Sequence, residues 1–253
     1  MAISETSTPQ EIFNMPAVEK GEAGAIHSPV NQLSILLTVW LAGSVWSIFY
    51  AAEQFGNSPN ALYIALMVFL WFNAVFCVLE FACLWFNRRY LREQWDRIDG
   101  GLHGRGLELF IAALKSPVNH RNLFTRKEWS KGFIAWGVLD RDYGTQNGFG
   151  YISELGNGVL SIIPTHLLLV FLFSPVVSPQ ITGMIGIAFF YQTIWGTSLY
   201  MMGLLTFGDN KENGFKGKLL LIWGNLPWLI MSVIGLYASA RLVLDNSYQI
   251  LFS

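Results

Sequence analysis

LWFNAVFCVLEFACLWF, residues 70–86, is apolar throughout except for Asn73 and one carboxylate, Glu80. It belongs to a longer apolar run, 61–86, and four others resemble it: 33–52, 149–173, 181–207 and 219–242. Each is long enough to cross a hydrocarbon core of about 30 Å, which takes about 20 helical residues. Composition points the same way, with 53% hydrophobic and 13% charged residues and a mean hydropathy of +0.40, beyond the range of soluble domains. Proline and glycine inside the runs do not oppose this, because membrane helices tolerate both. The expectation is an all-α polytopic membrane protein, a five-transmembrane-helix bundle with an intramembrane pocket.

Charge asymmetry tests that count. If the amino terminus, the loop 88–148 and the loop 211–218 share one side, that side holds fifteen of the 16 lysines and arginines, while 53–60 and 174–180 hold none. Five spans require this partition, so the positive-inside rule agrees with them and puts the amino terminus in the cytosol. Residues 1–30 read as a polar cytosolic segment without a signal peptide, and 31–246 as one membrane domain with a long cytosolic loop, 88–148. Within that loop LELFIAALKS, 107–116, is too short to span and reads either as an interfacial helix or as a packed loop helix. A net charge of −1 gives no field that would gather nucleic acid; the expected partners are a lipophilic small molecule and membrane lipid, and a homodimer is compatible with the sequence.

Ionisable residues within spans are costly, roughly 2.5–3.5 kcal/mol at a helix centre, and mark functional sites by default. Helical spacing puts Asn73, Cys77 and Glu80 on one face, with Phe76 one turn before Glu80. That face should look into the bundle. In GYISELGNGVLSIIPTH the third run offers Glu154 and, three residues on, Asn157; the fourth offers Gln192 and Trp195, then Tyr200; the fifth offers Asn225 and Trp228. Together they suggest a lined cavity. Taken singly, Asn157, Gln192 and Asn225 also read as interhelical hydrogen-bond glue, the two tryptophans as belt or packing residues, and Glu154 as a first-turn acid favoured by the helix dipole.

Other side chains carry less. His166 follows Glu154 by 12 residues, about 18 Å along an ideal helix, and reads as structural. Cys77 and Cys83 have neither redox nor zinc spacing and read as packing residues. No histidine motif suggests a metal, and no cofactor is expected. GGLHGRG, 100–106, lacks the strand and helix of a nucleotide loop, and no GxSxG elbow is present.

Glu80 in the second span, DRDYGTQNGFGYISELGN leading into the third, QTIWGTSLYMMG in the fourth and NLPW in the fifth resemble the EXPERA superfamily, and within it the emopamil-binding, Δ8-Δ7 sterol isomerase-like proteins. The likeness covers roughly residues 61–245. It implies that Glu80, Glu154, Asn225 and Trp228 line a sterol pocket, that Asp140 and Tyr143 supply the family's Asp-x-x-Tyr element, and that Trp195 and Gly196 match its aromatic-glycine pair. It also implies the endoplasmic reticulum. Three positions depart from the pattern: Phe76 stands where the isomerases have histidine, Asn157 where they have threonine, and Thr197 where they have an acid.

A carboxyl group out of water holds its proton more readily, which suits a general acid, and a second carboxylate can serve as base. Glu80 and Glu154 are the expected catalytic pair, with Asn73, Phe76, Asp140, Tyr143, Asn157, Gln192, Trp195, Asn225 and Trp228 binding substrate. An indole face stabilises a desolvated cation by about 2 kcal/mol, so a carbocation is the natural intermediate. The expected activity is a double-bond shift in a sterol or related polycyclic terpenoid. The alternatives are a terpenoid or meroterpenoid cyclase acting on an epoxide or alkene with the same pair, and a sterol-binding protein that has kept the pocket but not the chemistry.

Overall fold

The computed structural model describes residues 27–98, 106–119, 123–146, 148–174, 176–206 and 214–253. The polar segment 1–30, but for 27–30, and the glycine-rich stretch, but for Gly106, lie outside the described residues. Among the described residues the architecture is all-α with one small two-stranded sheet. In chain order come β1 (His27–Asn31), α1 (Gln32–Phe55), α2 (Ala61–Glu80), a π turn (Phe81–Trp85), α3 (Arg88–Ile98), α4 (Gly106–Lys115), β2 (Pro117–Asn119) and α5 (Arg126–Leu139). They are followed by α6 (Arg141–Thr145), α7 (Phe149–Gly156), a second π turn (Asn157–Ser161), α8 (Ile162–Phe173), α9 (Pro179–Thr206) and α10 (Gly214–Asp245).

Among the described residues four helical stretches are long and apolar enough to cross a membrane: Gln32–Phe55, Ala61–Trp85, Phe149–Phe173 and Gly217–Asp245. The chain is therefore an integral membrane protein. These stretches match four of the five apolar runs to within a few residues. The remaining run folds as α9, 28 residues and long enough to span, but it falls outside the apolar set. Gln192, Thr193, Thr197 and Ser198, from its middle onward, dilute its apolar character.

Contacts divide the chain into two compact units. The first comprises the described residues among 1–36, 79–155 and 203–221. Its core joins Leu84, Leu91, Leu109, Ala113, Ile134 and Tyr151, and burying each large side chain removes apolar surface worth about 1.5–3 kcal/mol. Of the two readings of 107–116, the packed one is what forms: Leu109 and Ala113 of α4 lie in that core, while Leu107 and Ile111 face outward. The amino terminus of α5 is capped by Thr125, whose hydroxyl accepts the Glu128 N–H at 3.4 Å. Glycine is required at one corner: a Cβ on Gly144 of α6 would stand 2.1 Å from the Trp95 indole. That contact lets the α5–α6 turn, which carries Asp140 and Tyr143, settle flat on α3. β1 pairs antiparallel with β2, His27 opposite Asn119.

The second unit comprises residues 37–78, 156–202 and 222–253. Its core joins Tyr63, Met67, Leu70, Leu168, Phe189, Phe190 and Leu242. Helices in lipid associate through close packing and interhelical hydrogen bonds rather than through expulsion of water, and both devices are present. A Cβ on Gly186 of α9 would stand 2.1 Å from the Ser239 hydroxyl of α10, so these two backbones approach closely. Trp71 of α2 donates its indole N–H to the Ser47 hydroxyl of α1 at 2.8 Å, and Trp40 of α1 donates to the Val68 carbonyl of α2, also at 2.8 Å.

Candidate functional site

Glu80 is the last residue of α2, and Glu154 lies two residues before the end of α7. Each helix then passes into a π turn, Phe81–Trp85 and Asn157–Ser161. A π turn holds one residue more than an α turn and recurs at functional sites. Glu80 is 1% exposed, and its carboxyl group lies within hydrogen-bonding reach of that of half-buried Glu154. The pairing has a register. Tyr151, three residues before Glu154, donates its hydroxyl to the carbonyl of Leu84, four residues after Glu80, at 3.2 Å. Moving forward along one chain and back along the other matches 80 with 154 and 84 with 151, so the two segments run antiparallel, as successive membrane spans do.

Ionised carboxylates only accept hydrogen bonds. A hydrogen bond between Glu80 and Glu154 therefore needs a proton on one of them, and two acids so close cannot both ionise freely. A third acid, Asp140, acts on Glu154 electrostatically. It is 3% exposed and ends α5, its N–H bonded to the Trp136 carbonyl at 2.8 Å. Tyr143 follows in α6, its N–H bonded to the Asp140 carbonyl at 3.1 Å, and its ring is buried with an edge toward Trp136. The first unit thus brings together four of the residues expected from the sequence: Glu80, Glu154, Asp140 and Tyr143. Glu80 lies five residues before the end of the span Ala61–Trp85, so it is a buried acid near the span's end.

The second unit gathers another set around Asn73. The Asn73 amide donates to the Thr165 hydroxyl at 3.0 Å and to the Cys77 sulfur at 3.3 Å. Its oxygen accepts from the Trp228 indole N–H at 2.7 Å and from the Asn157 amide at 3.5 Å. An asparagine side chain has two donors and two acceptor sites; all four are used, at a position of 0% exposure. The Trp228 ring packs 5.1 Å from Phe72 and edge-on at 5.5 Å from Phe76. Phe76, where the resemblance expects histidine, is thus part of an aromatic cluster. Asn225 is buried one turn before Trp228 on the same helix.

Gln192 and Trp195 behave differently. The buried face of α9 runs through Phe189, Phe190, Thr193, Thr197 and Tyr200, a helical stripe of spacing one, three and four. Trp195 falls on the opposite side and is 59% exposed, which corrects its expected inward aim; Gln192 is only partly buried. A three-residue spacing shows that two side chains share a face but not which face it is. His166 is exposed, its Nδ1 2.6 Å from the Ile162 carbonyl, and serves its own helix. Both cysteines are buried thiols outside any disulfide.

Three features were missed from sequence. Tyr151 and Thr165 lie at helical spacing from Glu154 and Asn157, and the face-counting that singled out the acid and amides finds both. The ion pair Glu128–Lys131, 2.6 Å long with a 5% exposed Glu128 side chain, was hidden in a loop read only for its net charge. The π turns have no residue signature in these segments. No family model, curated protein or solved structure matches the chain.

Proposed function

We propose that the protein is a membrane isomerase that shifts a double bond in a sterol or related polycyclic terpenoid, with Glu80 and Glu154 as its acid/base pair. The observation that carries this reading is the antiparallel register, fixed by the Tyr151–Leu84 bond, that sets the carboxyl group of buried Glu80 within hydrogen-bonding reach of that of Glu154. In the reaction the protonated member delivers its proton to one alkene carbon, leaving a cation on the other. The ionised member then removes a proton from a carbon next to the cation, and the double bond re-forms one position along. Nothing is gained or lost overall. The proton now sits on the former base and returns along the hydrogen bond, which resets the pair without bulk water. General acid–base catalysis of this kind contributes about 10²–10⁴-fold.

The proposal includes α9 as a fifth span, an intramembrane pocket at the carboxyl pair, a cytosolic amino terminus and residence in the endoplasmic reticulum. Its supports are the charge distribution, the apolar runs and the resemblance to the EXPERA superfamily. A second reading, ring closure of an epoxidised terpenoid, uses the same pair, with the acid opening the epoxide and the base taking a proton from the final cation. Phe76 favours it: an aromatic ring in contact with Trp228 replaces the histidine of a longer proton relay.

The test is lipid profiling of a sterol-producing host expressing the full chain or its Glu80→Gln and Glu154→Gln variants. A new sterol or terpenoid isomer with the wild type, absent with both variants although they insert normally, is the expected result. Cyclised products instead select the second reading. Equal profiles with and without the wild type contradict both.

A further inference from the structure

The span Ala61–Trp85 ends in two outward aromatics, Trp85 at 43% and Phe86 at 55% exposure. Three cations stack on aromatic rings at this end. The Arg88 guanidinium lies 6.0 Å from the Trp85 ring centre, that of Arg126 5.8 Å from Phe86, and the Lys127 ammonium 5.7 Å from Tyr90. Arg126 also donates to the Phe86 carbonyl at 3.4 Å, which fastens the start of α5 to the end of the span. Two residues earlier Phe124 is 96% exposed. Its turn is held on both sides, by the Trp129 indole donating to the Leu123 carbonyl at 2.7 Å and by the Thr125 cap. A phenylalanine held out in this way is unfavourable in water and suited to the headgroup boundary.

We propose that Phe124, Arg88, Arg126 and Lys127 form a seat for the headgroup of an anionic bilayer phospholipid. Charge and position identify the occupant. The nearby acids face other cations, Glu93 with Arg89, Asp96 with Arg92 and Glu128 with Lys131, so the stacked cations leave a positive surface. That surface continues directly from a membrane span, where aromatic side chains and basic residues meet lipid headgroups. The seat fixes α5, and with it the Asp140 turn, against the bilayer, and it stands whether or not the carboxyl pair is catalytic.

The experiment reconstitutes the full chain in phosphatidylcholine vesicles carrying either spin-labelled phosphatidylserine or spin-labelled phosphatidylcholine, and compares the fraction of each immobilised by the protein. A preference for phosphatidylserine of about fivefold, the worth of one basic residue at a membrane surface, is expected. It should fall to parity in the Arg126→Gln/Lys127→Gln double variant and at high salt, and survive Arg241→Gln. Parity in the wild type, or a preference that the double variant keeps, overturns the proposal. Should that variant not fold, a Phe124→Cys variant carrying a polarity-sensitive fluorophore decides independently. Emission as in lipid, quenched by nitroxide-bearing lipid, supports the seat; emission as in water refutes it.

Discussion

Asn73 and Glu80 stand seven residues apart on one helix, and both are buried, at 0% and 1% exposure. Their surroundings differ in kind. Around Asn73 every donor has an acceptor and every acceptor a donor, through Thr165, Cys77, Trp228 and Asn157. Glu80 faces a second acid, and a hydrogen bond between Glu80 and Glu154 requires a proton on one of them. A saturated amide has nothing left to offer a substrate and holds helices in place. A proton held between two acids could instead be passed to a substrate. Under the proposed function, structure falls to the second unit's polar cluster and chemistry to the first unit's, although sequence spacing set both among the residues expected to line a cavity.

The largest effect expected is on the chemical side. Glu80→Gln and Glu154→Gln should each lower conversion by about 10²–10⁴-fold with insertion intact, measured as initial rates in membranes. If Asn73→Leu did the same while Glu80→Gln did not, the assignment would be reversed. Wild-type rates should fall at both low and high pH, because only the singly protonated pair has both an acid and a base. The residual rate of Glu80→Gln should lose one of those limbs.

Asn73→Leu should act on stability instead. It strips partners from the Trp228 N–H and from the Thr165 and Asn157 side chains, and a buried donor left unsatisfied costs about 1–3 kcal/mol. In bilayers such bonds average about 0.6 kcal/mol, so a loss near 1–2 kcal/mol is expected in denaturant unfolding from detergent. Conversion should drop less than tenfold. Phe76→Leu removes the edge-on contact with Trp228 and should cost about 1 kcal/mol, the usual worth of an aromatic pair. Smallest of all is Trp195→Leu: at an exposed position away from the buried stripe of α9, it should change both readouts less than twofold.

Much of the fold could be read from residue type because lipid leaves few choices. Apolar runs near 20 residues must be helical there, so run boundaries and helix boundaries nearly coincide. Buried positions of Asn73, Cys77 and Glu80 followed from helical period in the same way. What escaped is what period cannot encode. The direction of α9's buried face needed an anchor such as Phe189 and Phe190, and without it Trp195 was aimed inward. The register that sets Glu80 against Glu154 depends on the Tyr151–Leu84 bond between two spans. The π turns after both glutamates shift everything beyond them by one residue, and nothing in FACLW or NGVLS announces it.

One measurement reaches the central claim most directly: infrared spectroscopy of the full chain in vesicles, reading the carbonyl stretch of protonated carboxylic acids. A shared proton predicts such a band in the wild type, displaced on exchange into heavy water, altered by Glu80→Gln and by Glu154→Gln alike, and gone in the double variant. A wild-type spectrum without this band, or a band indifferent to both substitutions, would contradict it.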